Sequence, residues 1–520
     1  MARLGAPPTR WRAGRPFEWR QWWRWGAHSH SFFFLACVGA RRTHLTPTRT
    51  IHTSTIQTRT IKVSTLTTRG AVTAAVVNSS GRHTRPRVPG RAMPHPDLDP
   101  VPTPTQSPAT PPTPPLPPAA VTHIYAISDV HADPAYPANW AWVEGLQREQ
   151  GAPYSTSALI LAGDVAEHPA RLLAVLAGCA AAFAHVVFIP GNHCLWLRAG
   201  QDPRPDEDDE EEAGSAAGAP PRRPPADSVE KWRALEAAIA ASFPGCVHTG
   251  PIALGGVCVA PLLSWYEGGW NEEPSPPGAP PAPAIFTDFR ACVWPPALAP
   301  GAGVSPVLAE WWDAQNEAGA RAGALERAMA EAGRQQAGRG AAGGATHDQP
   351  PPPLVTASHF LPFPACLPER RFLFQPSLAD AAGSRALGRR VAALQPDVHV
   401  FGHTHIAMDL DVRPPGSPAG ARPIRCVHWP LRYPAERLRA SAGGGSPRLA
   451  GKPADPGPDP ALVWTCGSAA AGQPGTEGRG APGPRLPTHW SAYYAVHPRN
   501  PANVEPAPWV RERAAWARER

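Results

Sequence analysis

Acidic residues are nearly missing from the first 93 positions, which carry Glu18 alone against 16 Lys and Arg. Tyrosine is missing there too: all seven lie beyond residue 120. Nowhere does an apolar run reach the roughly 18 residues that a membrane-spanning helix needs, and the longest early one ends within Phe32 to Ala40. The nine cysteines are scattered (37, 179, 194, 246, 258, 292, 366, 426, 466), odd in number and without a Cys-x-x-Cys pair. That excludes a disulfide framework and a zinc ribbon. Gly-x-Ser-x-Gly, P-loop and dinucleotide-type glycine patterns are also lacking, so acyl transfer and nucleotide-driven phosphoryl transfer have no support. No internal repeat occurs.

Proline and glycine are abundant, 70 and 47 of 520 residues, but unevenly placed: 12 prolines fall within 94–120 and only 5 within 121–200. This indicates one ordered body with proline-rich tails and insertions. The net charge of +7 divides just as unevenly, as +15 over residues 1–93 and −8 over the rest (33 bases, 41 acids). A basic surface for nucleic acid would have to lie on the tail, so a nucleic-acid-binding body is disfavoured. The Arg-, Ser- and Thr-rich stretch 1–93 reads either as an organelle transit peptide, for chloroplast or mitochondrion, or as sequence ahead of a true start at Met93, which would leave the protein cytoplasmic. Residues 94–120 read as an extended polyproline linker.

From Val121 short apolar strands alternate with helical stretches: strands over 124–128, 158–162, 186–190, 354–358 and 398–401, helices over 140–147 and 170–184. Such alternation indicates an α/β fold. The segment 201–225, with seven consecutive acids from Asp206 to Glu212, reads as a solvated, disordered insertion. Asp227 and Glu230 have capping-box spacing ahead of a helix with Val229, Trp232, Leu235 and Ile239 on one face. Residues 271–284 and 333–353 read as loops, and a helix is expected over 307–329 between them. The main domain is expected to span 121–435, followed by a partly flexible extension, 436–520, whose aromatic residues pack back onto it.

Each of the five strands runs straight into residues of metal-ligand type: Asp129-Val130-His131, Gly163-Asp164, Gly191-Asn192-His193, His359, and Gly402-His403-Thr404-His405. In open α/β sheets the ligand crevice lies beyond the carboxyl ends of the strands, so these segments converge. Any one of them occurs by chance; five in order, each at a strand end, point to a metal site. Two dications about 3.5–4 Å apart can clamp a phosphoryl group and generate hydroxide near neutral pH. Imidazole, carboxylate and amide donors without thiolate suit Mn, Fe or Zn.

The order Asp-x-His, Gly-Asp, Gly-Asn-His, His, Gly-His-x-His resembles the calcineurin-like metallophosphoesterase superfamily. The segments 190–196, 261–266 and 401–405 are similar to a plant and algal branch of it. The resemblance implies a four-layer α/β/β/α sandwich. It implies that Asp129, His131, Asp164 and His405 hold one divalent ion, with Asp164 bridging, and that Asn192, His359 and His403 hold a second. His193 is then the general acid. The implied activity is hydrolysis of a phosphorylated substrate by metal-bound hydroxide. The alternatives are a catalytically degenerate, protein-binding scaffold and a nuclease of the same superfamily. Where the family usually has an acid after Gly-Asn-His this chain has Cys194, and Glu167 is the candidate to orient His193 in its stead. Trp265, Tyr266, Asp288, Arg290 and Trp294 are weaker candidates for a pocket wall, with Arg290 on the phosphate; His123, His185, His399 and His428 are left out.

Overall fold

Among the described residues, branched apolar residues with few breakers build twelve strands, here in chain order: β1 His123–Ile127, β2 Ser157–Ala162, β3 His185–Ile189, β4 Val247–His248, β5 Ile252–Leu254, β6 Val257–Pro261, β7 Leu354–Ala357, β8 Val398–Phe401, β9 Met408–Val412, β10 Ile424–His428, β11 Ala461–Thr465 and β12 Ala481–Pro482. They come from a computed structural model that describes residues 121–148, 153–197, 224–299, 305–339, 351–418, 420–441, 459–467 and 479–514. The tail 1–93, the linker 94–120 and most of the acidic insertion (201–223) lie outside the described residues.

The strands form two six-stranded mixed sheets, ordered β12-β11-β1-β2-β3-β4 and β5-β6-β7-β8-β10-β9. Within them β1, β2 and β3 run parallel, as do β6, β7, β8 and β10. Alternation along each strand decides what each face meets. Ile124, Ala126, Ile160 and Val187 of the first sheet pack against Val259, Val355, Val398 and Val427 of the second in one buried cluster. The intervening residues Ile127, Leu159, Leu161 and Phe188 point the other way, into a larger cluster with the helices. Strands covered on both faces read as continuous apolar runs, as β2 (SALILA) does. The result is two mixed sheets with flanking helices, an α/β fold. Strands β11 and β12 come from beyond residue 435, and β11 pairs antiparallel with β1.

The helix Pro169–Ala182 begins on a proline, whose missing N–H is no loss in a first turn, and buries Leu172, Val175, Leu176 and Cys179. The helix Ser228–Ser242 buries Val229, Trp232, Leu235 and Ile239. Its Asp227 side chain accepts from the Glu230 N–H, while Glu230 reaches back to the N–H of Ala226, one residue earlier than a standard capping box. The single helix expected over 307–329 is two, Pro306–Ala314 and Ala324–Arg339. Gly319 and Gly323, at φ +55° and +64°, turn the chain between them. The loop expected over 333–353 is corrected accordingly: 333–339 is helical, because Ala328 and Ala332 pack against Cys258 and Ala260 of β6, and 340–350 lie outside the described residues. In the segment 271–284 a short helix starts at Ala282. No helix among the described residues is long and apolar enough to cross a membrane.

Candidate metal centre

The loops leaving β1 and β2 are tied together: the N–H groups of Asp129, His131 and Ala132 donate to the carbonyls of Gly163, Asp164 and Val165 at 3.1, 2.9 and 2.9 Å. The loops after β7 and β8 are joined by Gly402 N–H to His359 C=O, 2.9 Å. Across the sheets the His403 N–H donates to Asp129 Oδ1, and within the first sheet the His193 N–H donates to Asp164 Oδ1, both at 2.9 Å. Backbone bonds therefore bring all five strand-end segments to one place.

The cost is local strain. Asp129, His131, Asp164, His403 and His405 all have positive φ (53°, 43°, 50°, 79°, 57°), a conformation that L-residues rarely adopt outside functional sites. The glycines serve two different needs. Gly163, at φ +88°, both turns and makes room, for a Cβ there would lie 2.1 Å from His359 Nδ1. Gly191 has an ordinary φ of −101° and serves only by its size, since its Cβ would lie 2.1 Å from Asp164 Oδ1.

The donors fall into two groups. In the first, the Nε2 atoms of His131 and His405 lie 3.0 Å apart, and His405 Nε2 is 3.6 Å from Asp129 Oδ1. In the second, Asn192 Oδ1 faces His359 Nε2 at 2.9 Å and His403 Nδ1 at 3.0 Å. Asp164 Oδ2 stands between the groups, 3.5 Å from His359 Nε2 and 3.9 Å from His131 Nε2. His193 sits at the edge with its side chain 15% exposed, its Nε2 3.9 Å from Asp164 Oδ2 and its Nδ1 3.2 Å from Glu167 Oε1. Trp196 covers the His193 ring at 3.6 Å between centroids.

Tautomers show what the second group is built to hold. His359 Nδ1 donates to the Ala162 carbonyl at 2.9 Å and His403 Nε2 donates to the Ala381 carbonyl at 2.8 Å. The neutral His403 ring therefore turns a lone pair onto Asn192 Oδ1, itself an acceptor, whereas burial opposes a charge on His359 but Asp164 outweighs it and raises that imidazole above its ordinary value. Two acceptors facing each other, His403 Nδ1 and Asn192 Oδ1, beside the Asp164 carboxylate are a pattern that a cation relieves, so nitrogen and oxygen donors fit a divalent ion there. Burial, reinforced by His359, pushes His403 down to about 3, so its ring is neutral. Burial and the nearby His193 likewise lower His131. Burial opposes the charges on Asp129 and Asp164, but the surrounding histidines outweigh it and hold both carboxyls below the usual range. Burial also opposes a charge on His405, yet Glu436 and Asp129 raise it to about 9.

Two supporting residues escaped the sequence reading. His428 Nε2 lies 3.0 Å from Asp129 Oδ2, which also accepts from Ser128 Oγ at 2.5 Å. His428 ends β10 as the other site residues follow their strands, a signal that was there to use. Glu436 Oε2 lies 2.7 Å from His405 Nδ1, and nothing in its local sequence marks it. Of the weaker candidates, Asp288 lies against the site: its Oδ1 accepts from Asn192 Nδ2 at 2.8 Å and from Trp196 Nε1 at 2.7 Å. Trp265 is buried among Tyr266, Trp294 and Phe360 as packing, and Arg290 is exposed. Cys194 is fully buried in the larger apolar cluster, with burial and Asp164 pushing its thiol up to about 12, so it is a neutral hydrophobe.

The family model for calcineurin-like phosphoesterases matches residues 122–266. A search of curated proteins returned no match. Among solved structures, a phosphopantetheinyl hydrolase from Mycobacterium tuberculosis is 19% identical with a TM-score of 0.34, over 64% of this chain and 99% of that one. A second crystal structure is 11% identical with a TM-score of 0.29, over 58% and 89%. The matched stretch contains Asp129, His131, Asp164, Asn192 and His193 at the strand ends described above, so that part of the chain is similar to calcineurin-like phosphoesterases.

Proposed function

We propose that the protein is a dinuclear metal-dependent phosphoesterase that hydrolyses a phosphate ester. The observation that carries this reading is the convergence of His359, the His403 lone pair and Asn192 Oδ1 beside a second cluster of imidazoles and a carboxylate, His131, His405 and Asp129, with one carboxylate between them. Asp129, His131 and His405 would hold one divalent ion and Asn192, His359 and His403 the other, with Asp164 shared; Mn, Fe or Zn suits this donor set. Bound there, two such ions supply positive charge for the phosphoryl oxygens and lower the pKa of a water.

The chain's own residues handle the leaving group. His193 is raised above the ordinary imidazole value: burial opposes its charge, but Asp164 and Glu167 outweigh it. Glu167 accepts the hydrogen bond of Nδ1–H, which stays on the ring, so Nε2 is the atom that gives a proton to the departing oxygen and later recovers one from water. Trp196 keeps the ring from turning. Lys231 donates to the Glu167 and Trp196 carbonyls at 2.8 and 2.7 Å and so fixes the backbone on both sides of His193. Retention of all seven donor residues and the acid favours an enzyme over a scaffold, and the acidic balance of the body disfavours a nuclease.

The test is hydrolysis of p-nitrophenyl phosphate and bis-p-nitrophenyl phosphate by the full chain in Mn²⁺. Turnover of either ester that EDTA abolishes and added Mn²⁺ restores is expected. Two tightly bound ions with no turnover of either ester would overturn the reading and favour the scaffold.

A further inference from the structure

We propose that Asp288 is a positioning residue that forces Asn192 to present its amide oxygen, rather than its NH₂, to the second donor group. The inference rests on the metal-site reading above and adds a part that the matched family segment does not contain, since Asp288 lies 22 residues beyond its end at 266.

The argument starts from an amide that has two ways to sit. Facing the imidazole lone pair of His403 Nδ1, an unconstrained Asn192 amide can turn over, because its NH₂ could then donate to that ring. A turned amide would satisfy the site with hydrogen bonds and take away one metal donor. What opposes the turn is on the other side of the amide. Asp288 is 4% exposed, and its Oδ1 receives the Asn192 NH₂ at 2.8 Å. Turning the amide would press its oxygen against a buried carboxylate and strip that carboxylate of a donor, which a low-dielectric interior penalises heavily. The carboxylate itself is locked in place: Trp196 Nε1 donates to the same oxygen at 2.7 Å, and the Tyr266 hydroxyl bonds to the group as well. Because Trp196 is the ring lying over His193, the same carboxylate also fixes the cover of the acid.

The first donor group has no part in this arrangement. The ring of His405 is oriented by Glu436 and the Asp129 carboxylate by His428 and Ser128. Loss of Asp288 should therefore weaken one site and spare the other, which general loosening of the fold would not do.

The experiment is calorimetric titration of Mn²⁺ into metal-free full-length protein, wild type against Asp288→Ala and Asp288→Asn, with melting temperature measured alongside. For Asp288→Ala the expected result is a binding step weakened by about 10–100-fold, the usual size for loss of an outer partner, with the other step within about threefold of wild type. Asp288→Asn can still offer an oxygen to Asn192 and should fall between the two. Its arm keeps the test decisive if Asp288→Ala does not fold. Two unchanged steps in a folded variant would overturn the proposal, as would equal weakening of both steps with a lowered melting temperature. If wild-type protein itself binds fewer than two ions, it is the metal-site reading that has failed.

Discussion

The two donor groups that share Asp164 are held by different means. In the first, side chains hold the donors: His428 and Ser128 on Asp129, Glu436 on His405. In the second, main-chain carbonyls of Ala162 and Ala381 hold the two imidazoles, and only Asn192 relies on a side chain. Each group has one partly buried imidazole, His405 in the first and His403 in the second, while Asp129, His131 and His359 are fully buried. One half of the centre is thus tuned by charge and open to point substitution and pH. The other is set by the packing of the sheets, with a single adjustable contact at Asp288.

Substitution of the shared carboxylate should erase the distinction and have the largest effect. Asp164→Asn should weaken both ions and lower turnover by at least about 10³-fold, about 4 kcal/mol of transition-state stabilisation. Metal content and kcat/KM check it together, and loss of one ion alone would remove Asp164 from its place between the groups.

His193 belongs to neither group. His193→Ala should keep both ions and slow hydrolysis by about 10²–10⁴-fold, with a smaller deficit for aryl than for alkyl phosphates, because a good leaving group needs less help from a proton. An equal deficit for the two ester types would mean that His193 is a ligand or a packing residue.

Glu436→Gln should act on the first group only, weakening one Mn²⁺ step by about tenfold and leaving the other unchanged. It should also change how stability depends on pH in the metal-free protein. In the folded chain His405 stands at about 9, above its unfolded value of about 6.5. Its ion pair with Glu436 therefore stabilises fully below about pH 6.5 and is lost as pH rises through about 9. Melting temperature measured in EDTA from pH 6 to 10 should fall more for wild type than for Glu436→Gln, and parallel curves would contradict the pairing.

The smallest effect is expected at Cys194. A neutral, fully buried thiol with no role in either group should tolerate alanine, with two ions bound and turnover within about tenfold of wild type. An ion lost from Cys194→Ala would make the sulfur a ligand.

How far the sequence reveals this arrangement follows from which interactions are local. The strands carrying Asp129, Asp164, Asn192, His359 and His403 announce themselves as short apolar runs between breakers, and they begin and end within a residue or so of the expected limits. Glu167 could be found because it follows Asp164 by three residues on the same loop. His428 and Glu436 reach their partners across 299 and 31 residues. Their partners depend on which loops the two sheets bring together; for Glu436 no pattern along the chain records that, whereas His428 at the end of β10 carries the same strand-end signal as the other site residues. The helix break between Ala314 and Ala324 was hidden for another reason: Trp311, Trp312, Leu325 and Met329 look like one apolar face, while Gly319 and Gly323 adopt a φ that only the fold reveals.

Both the shared carboxylate and the contrast between the groups require two ions side by side, about 3.5–4 Å apart. Full-length protein loaded with Mn²⁺, freed of excess metal, and measured by elemental analysis and low-temperature electron paramagnetic resonance addresses this in one sample. Two manganese ions per chain with the exchange-coupled spectrum of a bridged pair are expected. A single ion per chain, or two with the spectra of isolated Mn²⁺, would contradict a centre built on Asp164.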